Sequence, residues 1–470
     1  MSQRRRRESR QIRSSLKTST VEGSWWAVMY GMVETYFGAF FEFLKYSSYE
    51  ISILSTFPIF FGALFQNLTG WFYGILRSRK TLIILLKFIQ TIIIPLILYA
   101  GYSSGNFLLL LGFICIYYAV AMSQMSPWTS WMGYLVPGRL RGRYFGNRSQ
   151  VVRIFMLISS LIAGTVLNSF EDTNTFNGFI FIFSIGMIAN FGCMYYIKRQ
   201  YEPIDTSKDE KVEIVESSVA MTKELKRFIT YDSLSEFSFH VSGPLMMVYW
   251  LRDLNFDYIE LAILINVSQV LGLFSMRYWG KRIDHSGTYT TIRFTSFWIA
   301  ILPVFWVFLY YLPKELILPG SIVIASLASL MFSGRALALD NRLYEHMKSK
   351  EMIKITSKRV FFRGLSIFIG GLIGGVLTKY KSGLYSFVQL DTVIHSVMIF
   401  STILRLAVWS YFLRNTKEVL RNIVYSKECL RKHDFLRFLF LASSFVIKVT
   451  AAAPSLIPEA FPAVTVPSSL

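Results

Sequence analysis

Glu34 is the residue whose setting most demands an explanation. It stands about ten residues into an apolar run, 24–44. A carboxylate at that depth costs about 2.5–3.5 kcal/mol to place in a membrane. Such residues face a cavity, a partner or an ion path. A glutamate so placed can take up a proton on one side and release it on the other. One charge moved through 100 mV is worth about 2.3 kcal/mol, so proton coupling is energetically open to it. The alternative is a buried structural pair.

Three further groups lie in similar runs. Glu236 and His240 are one helical turn apart in the run 230–250, and Arg335 lies in 318–338. A histidine can change charge near neutral pH, or serve as a satisfied packing residue. Arg335 can pair with Glu34 or Glu236, or grip an anionic substrate with its fork of donors. Asp340 falls at the end of its run and is expected to be solvated. Lys87, Arg153 and Arg363 lie within a turn or two of helix ends, where long side chains reach the headgroups. Gly370, Gly371, Gly374 and Gly375 form overlapping small-xxx-small patterns that suit close helix packing.

Other chemistries lack their residues. Nothing matches GxxxxGK[ST], so no ATP-driven motor is expected. No HExxH motif or Ser/His/Asp constellation stands out, and the chain is not expected to be an enzyme. Cys115, Cys193 and Cys429 form no CxxC or Cys/His cluster. No cofactor and no metal site are expected.

These groups need a scaffold, and composition names its class. Of 470 residues, 53% are hydrophobic and only 17% charged, against about 25% charged in soluble domains. Beyond 24–44, apolar runs cover 49–73, 81–100, 106–130, 149–170, 177–197, 230–250, 258–279, 290–312, 318–338, 359–377 and 389–413. About 20 apolar residues cross a 30 Å hydrocarbon core. The expected fold is therefore an all-α integral membrane protein with about twelve transmembrane helices. The first run is too long for a signal peptide's apolar core and reads as a retained helix.

The net charge of +20 is read as topology rather than nucleic-acid binding. With the N-terminus in the cytoplasm, alternate connections carry Arg77, Arg79 and Lys80; Arg139, Arg141, Arg143 and Arg148; Lys281, Arg282 and Arg293; and Lys348, Lys350, Lys354, Lys358 and Arg359. The other connections hold isolated lysines and arginines, as the positive-inside rule requires. Arg4–Arg7 are expected to meet anionic headgroups. The expected organisation is a basic cytoplasmic N-terminus (1–23), a six-helix half (24–197), a cytoplasmic linker (198–229), a second six-helix half (230–413) and a cytoplasmic or interfacial tail (414–470).

The halves share an offset. Adding 210 takes Gly70 to Gly280, Arg148 to Lys358, Arg153 to Arg363 and Gly164 to Gly374. Two parallel six-helix repeats are a transporter architecture. Gly280-x-x-x-Asp284-x-x-Gly287, after an even-numbered helix, resembles the loop signature of the major facilitator superfamily. The segments Tyr30-Gly-Met-Val-Glu34-Thr-Tyr36 and 127–148 resemble a bacterial, largely uncharacterised subgroup of it. The first loop departs from the signature, with Gly74 in place of its acid and Arg77 in place of its glycine.

The resemblance implies alternating access. It implies a central cavity lined by the first, fourth, seventh and tenth helices, which offer Glu34 and Tyr30, Ser123 and Gln124, Glu236 and His240, and Arg335. It also implies a cytoplasmic gate at Gly280, Asp284 and Gly287. There Gly280 permits close helix approach, Gly287 a tight turn, and Asp284 is expected to accept from the start of the fifth helix near Arg148 or Arg153. The expected function is secondary transport of a small solute, with protons as candidate coupling ion, in the bacterial inner membrane with both termini cytoplasmic. The alternative is a non-transporting scaffold or assembly factor on the same fold. The expected partners are a small-molecule substrate, protons and lipid, not nucleic acid, and the chain is expected to be monomeric.

Overall fold

The computed structural model describes residues 3–103, 106–136, 141–171, 174–202, 222–345, 352–379 and 392–413. Most of the linker (203–221), the connecting stretches 137–140, 346–351 and 380–391, and the tail 414–470 lie outside the described residues.

Among the described residues every regular element is helical. In chain order they are α1 (Gln3–Met32), α2 (Phe37–Phe43), α3 (Ser48–Gln66), α4 (Thr69–Leu76), α5 (Arg79–Tyr102), α6 (Phe107–Ser123), α7 (Met125–Leu135) and α8 (Arg141–Ser169). Then come α9 (Thr175–Arg199), α10 (Lys223–His240), α11 (Met246–Val248), α12 (Tyr258–Tyr310), α13 (Lys314–Glu345), α14 (Met352–Lys379) and α15 (Val393–Leu413).

Nine stretches among the described residues are long and apolar enough to cross a membrane. One of them, α12, has 53 residues and bends at Gly287, whose φ of 80° lies in the region glycine favours. It therefore supplies two crossings. Two further crossings are interrupted helices: α1 with α2, and α10 with α11. Nine, one and two make twelve, the number expected from the sequence.

Helix starts are written into the sequence. Ser47 caps α3 in a reciprocal capping box with Glu50. Ser78, Asn106, Asn174 and Thr222 cap α5, α6, α9 and α10. The α5 start gains a second cap from the linker: Glu202 accepts from the backbone N–H of Arg79 (2.6 Å) and Lys80 (3.3 Å) and from Ser78 Oγ (2.7 Å). Glu202 is thus held at a positive helix end, not merely solvated.

Contacts divide the described residues into two compact units, one within 3–266 and 343–412, the other within 267–342 and 413. In the first unit, α1 packs on α8 and α9, α5 on α6 and α9, and α3 lies between α6 and α14, which also meets α10. Glycines make the α3–α14 seam possible. A Cβ added at Gly371 would meet Thr56, and one at Gly375 would meet Ser52 and Tyr49. Along the same line Phe60 stacks on Phe368 and Phe57 meets it edge-on.

A second seam repeats this pattern. A Cβ at Gly164 on α8 would meet Ala262 on α12, and Ser160 Oγ donates to Asn266 Oδ1 at 2.9 Å. Ser52 and Thr56 plus 210 give Ala262 and Asn266. Gly164 and Ser160 plus 211 give Gly375 and Gly371. The repeat thus reappears as equivalent contacts, but with an offset of 211 on α8 and α14, so that the partner of Gly164 is Gly375 rather than the Gly374 expected from the sequence.

In the second unit, Gly272 on α12 faces Ser329 on α13, and Gly334 lies against the Trp279 ring. Trp279 Nε1 donates to Leu330 O at 2.9 Å, and Ser275 and Ser333 hydroxyls are 2.6 Å apart.

Candidate functional site

The first crossing breaks at Glu34. Helix α1 ends at Met32, a 3-10 turn spans Glu34–Tyr36, and α2 resumes at Phe37. Thr35 Oγ1 donates back to the Tyr30 carbonyl at 3.1 Å, satisfying an acceptor the break leaves open. The seventh crossing breaks at Ser242-Gly-Pro244. Its 3-10 turn is Gly243–Leu245, and proline lacks the N–H that would continue the helix. Glu34 plus 210 is Pro244, so the first helix of each repeat breaks at the same place.

The second break is closed by a residue the sequence reading passed over. Arg405, on α15, donates through Nη2 to Phe239 O (3.2 Å) and Ser242 Oγ (3.0 Å), and through Nε to Ser401 Oγ (3.0 Å). A guanidinium at the C-terminal end of α10 satisfies open carbonyls and suits the dipole there. The signal was a lone arginine deep in the run 389–413.

Around the first break lies a buried polar cluster. Tyr117 Oη donates to Glu34 Oε1 at 2.9 Å. Tyr117 Oη also lies 3.3 Å from Met29 Sδ, and Gln124 Nε2 donates to Gln90 Oε1 at 3.1 Å. Tyr30 stacks near Trp26, with ring centroids 5.4 Å apart. Ser123 is buried beside Gln124. Lys87, expected to reach the headgroups, is instead 2% exposed and donates to Asn190 Oδ1 at 3.1 Å. The missed signal was the spacing Lys87, Gln90, Thr91, which puts three polar groups on one face of α5.

Around the second break, Glu236 Oε1 accepts from Arg363 Nη2 at 3.0 Å. His240 Nδ1 lies 2.9 Å from Glu236 O and 3.7 Å from Glu236 Oε2. Arg363 therefore meets a carboxylate rather than the headgroups expected for it. Arg335 is buried on α13 in the second unit, where Asp340 is exposed.

The expected gate residues fall as follows. Gly287 has the positive φ a turn requires. Asp284 is exposed on α12. A Cβ at Gly280 would meet nothing within 4 Å; the close approaches in that unit are at Gly272 and Gly334. Arg148 is held by Glu22 at 3.1 Å and lies over the Trp128 ring at 4.5 Å. Arg153 is half-buried on α8.

At the far ends of α2 and α11 the structure adds a bridge not foreseen. Arg252 Nε and Nη2 meet Glu42 Oε1 and Oε2, each at 2.9 Å, and Nη2 also donates to Tyr46 O at 3.2 Å. The partners are 210 residues apart, the repeat offset itself, with opposite charge at equivalent positions. Just beneath, a Cβ at Gly38 would meet the Met247 side chain.

Solved transporter structures share this fold. The nucleoside transporter NupG matches with a TM-score of 0.65 at 13% identity, over 87% of this chain and 98% of its own. A D-xylose–proton symporter matches at 0.64 and 13%, over 87% and 98%. XylE from E. coli, inward open, matches at 0.59 and 14%, over 86% and 97%. No curated protein matches the sequence. The family model described as Major Facilitator Superfamily matches residues 24–350, well over half of the 470. With twelve helical crossings, paired breaks and this match, the chain belongs to the Major Facilitator Superfamily.

Proposed function

We propose that this protein is a secondary transporter that moves a small polar solute by alternating access, with Glu34 as the group that loads a proton or a substrate cation. The observation that carries the reading is the pair of helix breaks at equivalent positions, Glu34–Tyr36 and Gly243–Leu245. Broken helices at corresponding places in two repeats mark the binding site of a transporter, because only a wet interior tolerates open backbone groups in lipid. One break carries Glu34 with Tyr30 and Gln124 nearby; the other carries Glu236, His240 and Arg363. Arg335, on the second unit, is a candidate lining residue by the family resemblance alone. The neighbours' substrates, a nucleoside and D-xylose, are polar solutes of the kind such a lining would hold.

The N-terminus lies in the cytoplasm in this reading, as the basic loops require. The Glu42–Arg252 bridge is then an outer gate, closed here, and the Gly280, Asp284 and Gly287 motif a cytoplasmic one; Arg148 and Arg153, on the first unit, are assigned to that gate by the family resemblance alone. A thermal-shift screen of small polar solutes identifies ligands, since a ligand that binds the folded form raises its stability. Uptake of the best ligand into proteoliposomes under an imposed pH gradient then tests the mechanism. Gradient-driven uptake by the native chain that Glu34→Gln abolishes is the expected result. Undiminished gradient-driven uptake by Glu34→Gln would overturn Glu34's role.

A further inference from the structure

The α3–α14 seam closes at Phe60, whose ring lies 5.7 Å from that of Phe368, and at Ala63, whose Cβ lies 3.2 Å from where one added at Gly364 would stand. Past that point a cavity of about 250 Å³ opens between the end of α3, the starts of α4 and α7, and the first third of α14. Its lining is polar but uncharged: Gln66, Asn67, Thr69 and Ser126, walled by Ala63 and Val360. Thr69 is the anomaly. Threonines in helices bond back to the carbonyl one turn earlier, as Thr56, Thr91 and Thr295 do at 2.7–2.8 Å. Thr69 does not: it is 5% exposed, and its hydroxyl has no hydrogen-bond partner among the described residues. Buried polar atoms are nearly always partnered, so this hydroxyl marks a place where something outside the chain can bond.

The chemistry of the lining limits what that is. No lining side chain is ionisable, so a phosphate or an ammonium would be buried there without a counter-ion. Each amide offers two donors and an acceptor, and each hydroxyl one donor with acceptor lone pairs. Neighbouring hydroxyls of a polyol present the same alternation of donor and acceptor. At about 30 Å³ of liquid per water molecule, the cavity has room for about eight waters, or for a solute of about ten heavy atoms, since bonded atoms sit closer than waters do. A Cβ added at Gly70, also in the lining, would meet nothing within 4 Å, so the space reaches the α4 backbone.

We propose that this cavity binds a small uncharged polyol and thereby holds the cytoplasmic ends of α3 and α14 apart. Helix α3 belongs to the first repeat and α14 to the second, so their seam joins the two halves. Alternating access requires such a seam to close on the cytoplasmic side when the outer bridge opens. A polyol lodged in it blocks that step, and the carrier stays with its outer face shut. The site is thus a brake, set by solute on the cytoplasmic side. Binding stands on the geometry above, and the effect on the cycle rests on the alternating-access reading.

The test uses the full chain in proteoliposomes, with native cysteines replaced and one of two reporters, each alkylated by a membrane-impermeant maleimide. Ser126→Cys, in the cavity lining and exposed, reads occupancy from the cytoplasmic side. Met247→Cys, beneath the Glu42–Arg252 bridge, reads opening of the outer face. Xylitol, a five-carbon polyol, is the probe, and sucrose, too large for the cavity, is the osmotic control. At about four times its Kd, xylitol is expected to slow alkylation of Ser126→Cys about fivefold. Thr69→Val, which keeps the shape of the side chain but not its hydroxyl, is expected to abolish that protection. Xylitol is also expected to slow alkylation of Met247→Cys. Gly70→Leu, which fills the cavity from its wall, should do so without xylitol and leave xylitol no further effect. Absence of protection by xylitol, equal protection by sucrose, or protection undiminished by Thr69→Val would overturn the site. Protection of Ser126→Cys with unchanged alkylation of Met247→Cys would overturn the brake. If Gly70→Leu does not fold, the xylitol measurements decide alone. Protection needs no transport and should survive Glu34→Gln, so a failure of the transport reading shows separately, in uptake under a pH gradient.

Discussion

Removing one side of the Glu42–Arg252 bridge should open the face it closes, and the size of the effect can be worked from the contact. The pair is bidentate, with both N–O distances 2.9 Å. Two charges 4 Å apart attract by about 4 kcal/mol at an effective dielectric of 20. The Arg252 side chain is 42% exposed and Glu42 14%, so water screens most of that. Exposed pairs measure about 0.2–1 kcal/mol. The fork geometry and the extra bond to Tyr46 O put this pair near the upper end, at about 1 kcal/mol. Since 1.4 kcal/mol is tenfold in a ratio of populations, that is about fivefold. Glu42→Gln and Arg252→Gln should each raise maleimide labelling of Met247→Cys by about that factor. The charge swap Glu42→Arg with Arg252→Glu should bring the rate back within about twofold, because the two positions are equivalents under the repeat. Salt at 1 M, with a Debye length of about 3 Å, should shrink the native-to-variant difference. Labelling that is unchanged in both single variants would show that the bridge closes nothing.

Other parts of the molecule give shorter tests. Arg405→Met removes the guanidinium that donates to Phe239 O, Ser242 Oγ and Ser401 Oγ, a loss of about 3 kcal/mol by analogy with other buried charged networks, to be read as a fall in melting temperature of the detergent-solubilised protein. Ser47→Ala removes the α3 capping box and should cost about 1 kcal/mol, again as a melting shift. Gly164→Val and Gly375→Val sit at equivalent points of the two seams and should both abolish a monodisperse elution profile, since in each case the added Cβ meets a packed neighbour. Asp284→Asn is expected to shift the carrier toward inward-open, and unchanged cysteine labelling on both faces would reject that.

Much of this molecule was legible in its sequence because membrane physics leaves little choice. Apolar runs of about 20 residues must be helices, so the crossings follow from counting. The constant offset of 210 was readable too, and it points to the bridge once opposite charges are sought along it, at Glu42 and Arg252. What could not be read from local pattern was depth and direction. Lys87 and Arg363 lie at the same distance from helix ends as lysines that reach the headgroups. Only tertiary packing turns one toward Asn190 and the other toward Glu236. The break at Glu34 was equally hidden. Val33, Thr35 and Tyr36 are ordinary in a membrane helix, and the turn there depends on Thr35 bonding back to Tyr30, whereas Gly243-Pro244 announces its break outright.

The two breaks show how one architecture is divided between two tasks. Each interrupts the first helix of its repeat at the same position, and each leaves carbonyls that need donors. In the first repeat a threonine hydroxyl of the same crossing supplies the donor, and the Glu34 carboxylate accepts from the Tyr117 phenol. In the second, a guanidinium from α15 ties the α10 end to a neighbouring helix, and the nearby carboxylate Glu236 is held by Arg363. A break closed by a hydroxyl costs little to rearrange. One closed by a buried, multiply bonded arginine costs several kcal/mol. The first break is therefore the adjustable one and the second the fixed frame against which it works. Under the proposed function, Glu34 then stands where the backbone is cheapest to move. It predicts that Thr35→Val, which deletes only one hydroxyl, alters the rate of reorientation, read by labelling at Met247→Cys, more than it alters the melting temperature, whereas Arg405→Met does the reverse.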